Sequence, residues 1–192
     1  SVASAPAATR SAISASYPSE QPVVEPAIPL PDHPGFSVLL PSSAPPAEGW
    51  PVVLLLDGDR WLDLGIGAIA AELASAATPF LTLLHQPTDR VTEYTCSQEW
   101  VSRATAAICA VGNLWPVTGG AIVAGQSLGG LAAVHAQCSA PDVFAASLSQ
   151  SGSFWWASHD PDADGARWLT RTIAEHQPRL GSVWLEAGLR EH

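Results

Sequence analysis

Short apolar segments alternate with helix-favouring segments along most of the chain, and this alternation restricts the fold more than any other feature. The clearest apolar segment is VVLLL at Val52–Leu56, a continuous run bounded by turn residues, which is typical of a strand buried on both faces. Strands are predicted at residues 52–56, 80–84, 121–124, 144–148 and 182–186, and helices at 68–76, 97–111, 128–136 and 166–176. Because this alternation requires crossover connections, it predicts an α/β fold with a mostly parallel central sheet and helices on both faces.

The N-terminal region has a different composition. Most of the 17 prolines lie at or before Pro51, and residues 1–34 are rich in Ala, Ser and Pro without a strand or helix period. We interpret residues 1–34 as a linker or extended arm and residues 35–192 as one folded domain. Residues 35–40 are predicted to form a short edge strand.

Composition also limits the partners. A formal net charge of −10 with only 8 Lys and Arg argues against nucleic acid, because phosphate binding requires basic side chains. No apolar run approaches the roughly 18 residues that cross a bilayer, so no membrane partner is expected.

Cys96, Cys109 and Cys138 show no C-x-x-C spacing, and His135 lies near Cys138 without further ligands, so no metal site is predicted. Reduced thiols are the default reading, which favours the cytoplasm. The oligomeric state is left open.

A serine stands between a predicted strand and a predicted helix. The motif GQSLG at residues 125–129 follows strand 121–124 and opens helix 128–136, which places Ser127 in a strand–turn–helix elbow. A serine hydroxyl becomes a nucleophile only when it is exposed beside a base and near oxyanion donors, and such an elbow holds it there. Ligands of parallel sheets also bind beyond the carboxyl ends of the strands. We therefore predict that Ser127 is a catalytic nucleophile, against the alternative of a glycine-rich turn with an idle serine.

The donors of an oxyanion hole follow from the same geometry. The backbone N–H of Leu128 is one candidate because it comes directly after the nucleophile. A second donor is expected from the turn after strand 52–56, where Gly58 and Asp59 stand. The alternative for this turn is an ordinary tight turn with no catalytic part.

Five motifs then identify a family resemblance. They are LDGDRW at residues 56–61, RVTEY at 90–94, AGQSLGG at 124–130, SQSGSFWW at 149–156 and EAGLRE at 186–191. In this order they resemble the catalytic domain of enterochelin esterases, which are esterase D-like α/β-hydrolases. The resemblance implies an α/β-hydrolase fold and hydrolysis of the ester bonds of a catecholate siderophore such as ferric enterochelin, releasing iron in the cytoplasm. It implies no cofactor, because iron would arrive as part of the substrate.

The resemblance also suggests substrate contacts. Arg60 and Arg90 would supply local positive charge for an anionic tri-catecholate, with Arg90 placed in a loop. The alternative for Arg90 is an ion pair with Glu93 that braces this loop. Trp155 and Trp156 would stack on catechol rings, or else would cap the core.

The remaining triad members are expected near and beyond the end of the sequence. In this fold the acid follows the nucleophile and the histidine follows the acid. Glu186 and Glu191 both qualify by position, and we favour Glu191 because its spacing from Gly188 resembles that of the family's acid. Among the histidines, His135 is expected in the core or a groove and His85 beside the site. We therefore expect the general base, with a last strand and helix of the fold, beyond residue 192.

Two other functions remain open at this stage. One is an esterase D-like acyl hydrolase or transferase that acts on a different ester, such as a feruloyl, sugar or lipid acyl group. The other is a non-catalytic hydrolase-fold module that binds a ligand or a partner.

Overall fold

The computed structural model describes residues 26–157 and 167–188. Seven strands lie in these ranges: β1 (Ile28–Pro29), β2 (Phe36–Leu39), β3 (Val52–Leu56), β4 (Leu81–His85), β5 (Ala121–Gln126), β6 (Phe144–Gln150) and β7 (Ser182–Glu186). Six helices lie in them as well: α1 (Gly58–Asp63), α2 (Ile66–Ala76), α3 (Arg90–Tyr94), α4 (Gln98–Leu114), α5 (Leu128–Ser139) and α6 (Trp168–His176). All five strands and four helices predicted between residues 51 and 186 are therefore present.

The strands form one sheet in the order β1-β2-β4-β3-β5-β6-β7. Strands β3 to β7 run parallel to one another. Strand β2 pairs antiparallel with both of its neighbours, β1 and β4. The predicted α/β fold with a mostly parallel sheet is confirmed. The strand predicted within residues 35–40 is present as β2, but its predicted edge position is wrong, because β1 lies outside it. Strand β1 also precedes residue 35, where we placed the start of the domain, and that boundary stays a prediction.

Side chains that alternate along β3 show that helices cover both sheet faces. Leu54 and Leu56 pack in a large core with residues of α4 and α5, whereas Leu55 packs in a smaller core with Ile66 of α2. Alternate residues of a strand point to opposite faces, so α4 and α5 lie on one side of the sheet and α2 on the other. This arrangement confirms the expected two helical layers.

Part of one sheet face is apolar and exposed. The register places Ala124, Leu148 and Trp184 side by side, and Ile122 lies two residues before Ala124 on the same face. Leu148 is 38% exposed and Trp184 is 68% exposed. Our expectation of a further strand and helix beyond residue 192 is not tested by this exposure and stays a prediction.

Two helices near the carboxyl ends of the strands were not predicted. Helix α1 starts directly after Asp57, which has a left-handed backbone with φ 63°. Helix α3 starts after Asp89, whose side chain accepts hydrogen bonds from the backbone N–H groups of Val91 and Thr92. Both helices are short, so they leave little periodicity in the sequence.

Candidate active site

Ser127 lies in a sharp turn between β5 and α5. Its backbone has φ 57° and ψ −119°, a combination that non-glycine residues rarely adopt. The Ser127 N–H donates to the Gln150 carbonyl at 2.9 Å, and its own carbonyl accepts from Leu131 and Ser153 at 3.1 Å each. Neighbouring backbone thus holds the strained turn in place. The strand–turn–helix geometry predicted for the elbow is present, and Ser127 is half-buried.

The glycines of the motif permit close approach of backbone and side chains. A Cβ on Gly125 would lie 2.5 Å from the carbonyl carbon of Gly129, a separation that real Cβ atoms do not show. A Cβ on Gly129 would lie 3.3 Å from a carboxylate oxygen of Asp57. The spacing of the two glycines around Ser127 therefore reflects crowding between β5, α5 and the turn after β3.

The predicted oxyanion donors lie around this turn. Leu128 is the first residue of α5, and the first N–H groups of a helix have no partner within it. Gly58 is buried at the start of α1. The Asp59 N–H donates to Gln86 Oε1 at 3.1 Å, so that donor is occupied by a side chain that sequence reasoning did not single out.

A pocket of about 330 Å³ opens beside Ser127. Its lining comprises Asp57, Asp59, Arg60, Gln86, Arg90, Gln126 and Ser127. Four predicted site residues are thus brought together, namely Ser127, Asp59, Arg60 and Arg90. A neighbouring pocket shares Asp57, Arg60 and Gln126 and adds the apolar side chains of Leu56, Trp61 and Leu64. Trp61 lies in α1 and Leu64 directly follows it, and both were missed because this helix was not predicted.

Arg90 is bound to Asp57. Its Nε and Nη2 donate to the two Asp57 carboxylate oxygens at 2.7 and 2.9 Å, and Nη2 also donates to the Gln126 carbonyl at 3.1 Å. The hydrogen bonds to Asp57 raise the pKa of the Arg90 guanidinium above its ordinary value. Arg90 begins helix α3, so its predicted placement in a loop is wrong, and so is the alternative pairing with Glu93. Arg90 instead connects α3, the turn after β3 and the elbow.

Glu93 has other partners, among them the side chains of Arg103 and His85. Its carboxylate accepts from Arg103 Nη1 at 3.1 Å and lies 3.2 Å from Nε2 of His85. The ring of His85 is fully buried, and its Nδ1 accepts from the indole N–H of Trp100 at 3.3 Å. Nδ1 is therefore unprotonated in the neutral ring, and Nε2 carries the proton, near Glu93 but without hydrogen-bond geometry to a described residue. Burial lowers the pKa of His85 to about 4, so the ring is neutral at pH 7.

None of the histidines in the described ranges bridges Ser127 to a carboxylate. His85 contacts Glu93 but is held by Trp100 and Tyr94. His135 lies on α5, where its Nε2 is 3.2 Å from Ser139 Oγ and its ring contacts Trp168. The core position expected for His135 is confirmed, and burial lowers its pKa to about 4. The expected position of His85 beside the site is wrong, because the ring is buried beneath it.

The predicted acid lies outside the described residues. Glu191 falls in the last four residues, as do Arg190 and His192. Glu186 ends β7, where its carboxylate accepts from Gln150 Nε2 at 3.3 Å. The described residues therefore do not decide between Glu186 and Glu191 as the triad acid, and the assignment to Glu191 stays a prediction.

Trp155 and Trp156 follow β6 and differ in environment. The two rings lie 5.0 Å apart at 49°. Trp155 is 61% exposed, whereas Trp156 is half-buried against the main core. Trp155 therefore has an open ring face, and Trp156 adopts the core-capping position that was the alternative.

The Ser127 hydroxyl has a direct partner that sequence reasoning missed. Its Oγ lies 3.1 Å from the Oγ of Ser153, which is buried. The serine-rich motif SQSGSFWW was the available signal, but the sequence does not show which of its serines faces the elbow.

A parallel sheet with helical layers on both faces and a serine in a strained turn after a central strand defines an α/β-hydrolase. The chain belongs to the putative esterase family, whose family model matches residues 29–192.

Curated relatives are similar over part of their length. The chain is 30% identical over 155 residues to the iron(III) enterobactin esterase of Escherichia coli K12, an alignment that covers 76% of this chain and 39% of that protein. It is 32% identical over 161 residues to the iron(III) enterobactin esterase of Dickeya dadantii, covering 73% and 37%. The chain therefore spans about two-fifths of the length of these relatives.

A solved structure of an enterobactin esterase is also similar to this chain. The enterobactin esterase of Shigella flexneri, determined in the presence of 2,3-dihydroxy-N-benzoyl-serine, superposes with a TM-score of 0.68 at 26% identity. The superposition covers 81% of this chain and 42% of that one. The resemblance to enterochelin esterases that the five motifs predicted is confirmed. None of the helices within the described ranges is long and apolar enough to cross a membrane.

Proposed function

We propose that this chain carries the nucleophile of a serine esterase that hydrolyses the ester bonds of a catecholate siderophore such as ferric enterochelin. The observation that carries the proposal is the strained turn at Ser127, which opens into a pocket at the carboxyl ends of the strands. In this proposal Ser127 Oγ attacks the ester carbonyl, and the N–H of Leu128 stabilises the developing oxyanion. The second donor comes from the turn after β3, where Gly58 is the candidate because the Asp59 N–H already donates to Gln86 Oε1.

Charge at the pocket supports an anionic substrate. Arg60 is exposed and lines both pockets beside Ser127. A protein with a net charge of −10 requires a local cation to hold a ferric tri-catecholate, and the Arg60 guanidinium supplies one. Trp61 in the neighbouring pocket and the exposed Trp155 offer aromatic faces for catechol rings.

Arg90 has a different part in this proposal. Its bidentate contact neutralises the Asp57 carboxylate, which would otherwise place a negative charge beside the developing oxyanion. Its third hydrogen bond, to the carbonyl of Gln126, joins the oxyanion turn to the elbow. The Arg90 side chain is 39% exposed, so a substrate oxygen can also reach the guanidinium.

The remaining triad members complete the proposal. We assign the acid to Glu191 and place the general base after it, because triad order in this fold runs from serine to acid to histidine. Hydrolysis would release iron in the cytoplasm, where the three free cysteines stay reduced.

The proposal is tested with the natural protein that contains these 192 residues and with the 192-residue polypeptide alone. A fluorophosphonate should label Ser127 of the natural protein, and that protein should release serine–catechol units from the ferric trilactone. The polypeptide alone should hydrolyse esters at least about 10³-fold more slowly, because loss of the base removes most triad catalysis.

Three outcomes contradict parts of the proposal. Absence of labelling would favour a non-catalytic binding module. Labelling with turnover of feruloyl or other acyl esters, but not of the trilactone, would reject the siderophore substrate. Full activity of the 192-residue polypeptide would reject a base beyond residue 192.

Replacing Arg90 should slow hydrolysis of neutral and anionic esters alike. Arg90→Ala leaves the Asp57 carboxylate unpaired, which we expect to cost about 1–3 kcal/mol of transition-state stabilisation on a p-nitrophenyl ester as well as on a ferric tri-catecholate. The measurement is kcat/KM on both substrates.

The double variant Asp57→Asn, Arg90→Ala is the control for charge. It removes the unpaired carboxylate and should recover part of the lost rate. A loss confined to the tri-catecholate would instead assign Arg90 to direct substrate contact.

A further inference from the structure

The hydroxyl of Ser153 contacts the hydroxyl of the proposed nucleophile directly. Its Oγ lies 3.1 Å from Ser127 Oγ, and its side chain is almost fully buried, with the residue 6% exposed. We infer that Ser153 is a positioning residue that holds the Ser127 hydroxyl in its reactive orientation. This inference rests on the proposed function of Ser127.

The backbone fixes Ser153 on both sides. Its N–H donates to the Ser127 carbonyl at 3.1 Å, and its carbonyl accepts from the Trp156 N–H at 2.9 Å. In the other direction, the Ser127 N–H donates to the Gln150 carbonyl at 2.9 Å. The end of β6 and the segment after it therefore form a frame around the elbow, and the Ser153 hydroxyl points from this frame to Ser127.

The proton count sets the direction of the hydrogen bond during catalysis. A serine hydroxyl has one proton and two lone pairs. Once the Ser127 proton points to a general base, the Ser153 hydroxyl contacts Ser127 as the donor. A serine side chain has three staggered rotamers, and this donor selects one of them. No bond of Ser153 forms or breaks in the reaction, so it acts only through Ser127.

Ser149, which lies on β6 four residues before Ser153, provides a matched control. Ser149 is 1% exposed, and its Oγ is buried without a hydrogen-bond partner among the described residues. Ser149→Ala and Ser153→Ala thus delete the same buried atom type four residues apart, but only the second deletion removes a contact with Ser127.

The experiment measures fluorophosphonate labelling rates, kcat and KM on a p-nitrophenyl ester in the natural protein. Ser153→Ala should lower the labelling rate and kcat by about 3- to 10-fold with KM unchanged, as expected for one hydrogen bond. Ser153→Thr keeps the hydroxyl and should label faster than Ser153→Ala. Ser149→Ala should retain the wild-type rates, with an equal or higher thermal midpoint because an unsatisfied hydroxyl is removed.

The results separate this inference from the proposed function. A wild-type protein that is not labelled at Ser127 overturns both. A labelled wild-type protein with equal rates in Ser153→Ala overturns the positioning role alone. So does a Ser149→Ala variant that slows as much as Ser153→Ala, because the effect would then be one of packing.

Discussion

Ser127→Ala should lower ester hydrolysis by at least about 10³-fold in the natural protein, because removal of the nucleophile of a triad leaves only oxyanion stabilisation and binding. The fold should tolerate the change. The turn at Ser127 is held by backbone hydrogen bonds to Gln150, Leu131 and Ser153, which alanine retains. The side chain loses its contact with the Ser153 hydroxyl, which we expect to cost no more than about 1 kcal/mol of stability.

The measurement is kcat/KM together with the thermal midpoint. Ser102→Ala is a suitable control, because Ser102 lies exposed on α4 and bonds only to the Gln98 carbonyl in the contacts found. It should keep wild-type activity. A Ser127→Ala variant that remains active, or covalent inhibitor found on Ser149 or Ser151, would overturn the assignment of the nucleophile.

The free energy of unfolding should fall steeply as the pH drops from 6.5 to 4. His85 and His135 are buried, and desolvation lowers the pKa of each to about 4. In the unfolded chain each imidazole has its ordinary pKa near 6.5. The unfolded state therefore takes up protons first as the pH falls, so stability from both groups is present above pH 6.5 and is lost towards pH 4. Each buried ring should contribute about 2–3 kcal/mol to this loss.

Urea denaturation between pH 7.5 and pH 4 measures the effect. His135→Phe keeps an aromatic ring against Trp168 and removes the titrating group, so the pH slope should fall by about half. Ser102→Ala, which changes no titrating group at an exposed position of α4, is the control, and its slope should equal that of the wild type. An unchanged slope in His135→Phe would show that the acid loss comes from other groups.

Local patterns predicted much of the fold. The run Val52–Leu56 and the other apolar segments form the parallel strands, because a strand buried on both faces must be apolar at every position. The elbow at Ser127 was likewise predicted from the glycines around it, since the crowding that excludes a Cβ at Gly125 arises within one short stretch of chain. Strand β1 and the short helices α1 and α3 were missed because they contain too few residues to show a recognisable repeat of apolar positions.

The sequence by itself determined the fold class, the family and the position of the proposed nucleophile. Only the tertiary structure decided the partners of the polar side chains. Arg90 bonds to Asp57, which lies 33 residues away, rather than to the nearby Glu93. Ser153 meets Ser127 across 26 residues. The physical reason is that parallel strands bring several distant turns to one edge of the sheet, and local periodicity carries no information on which of their side chains meet there.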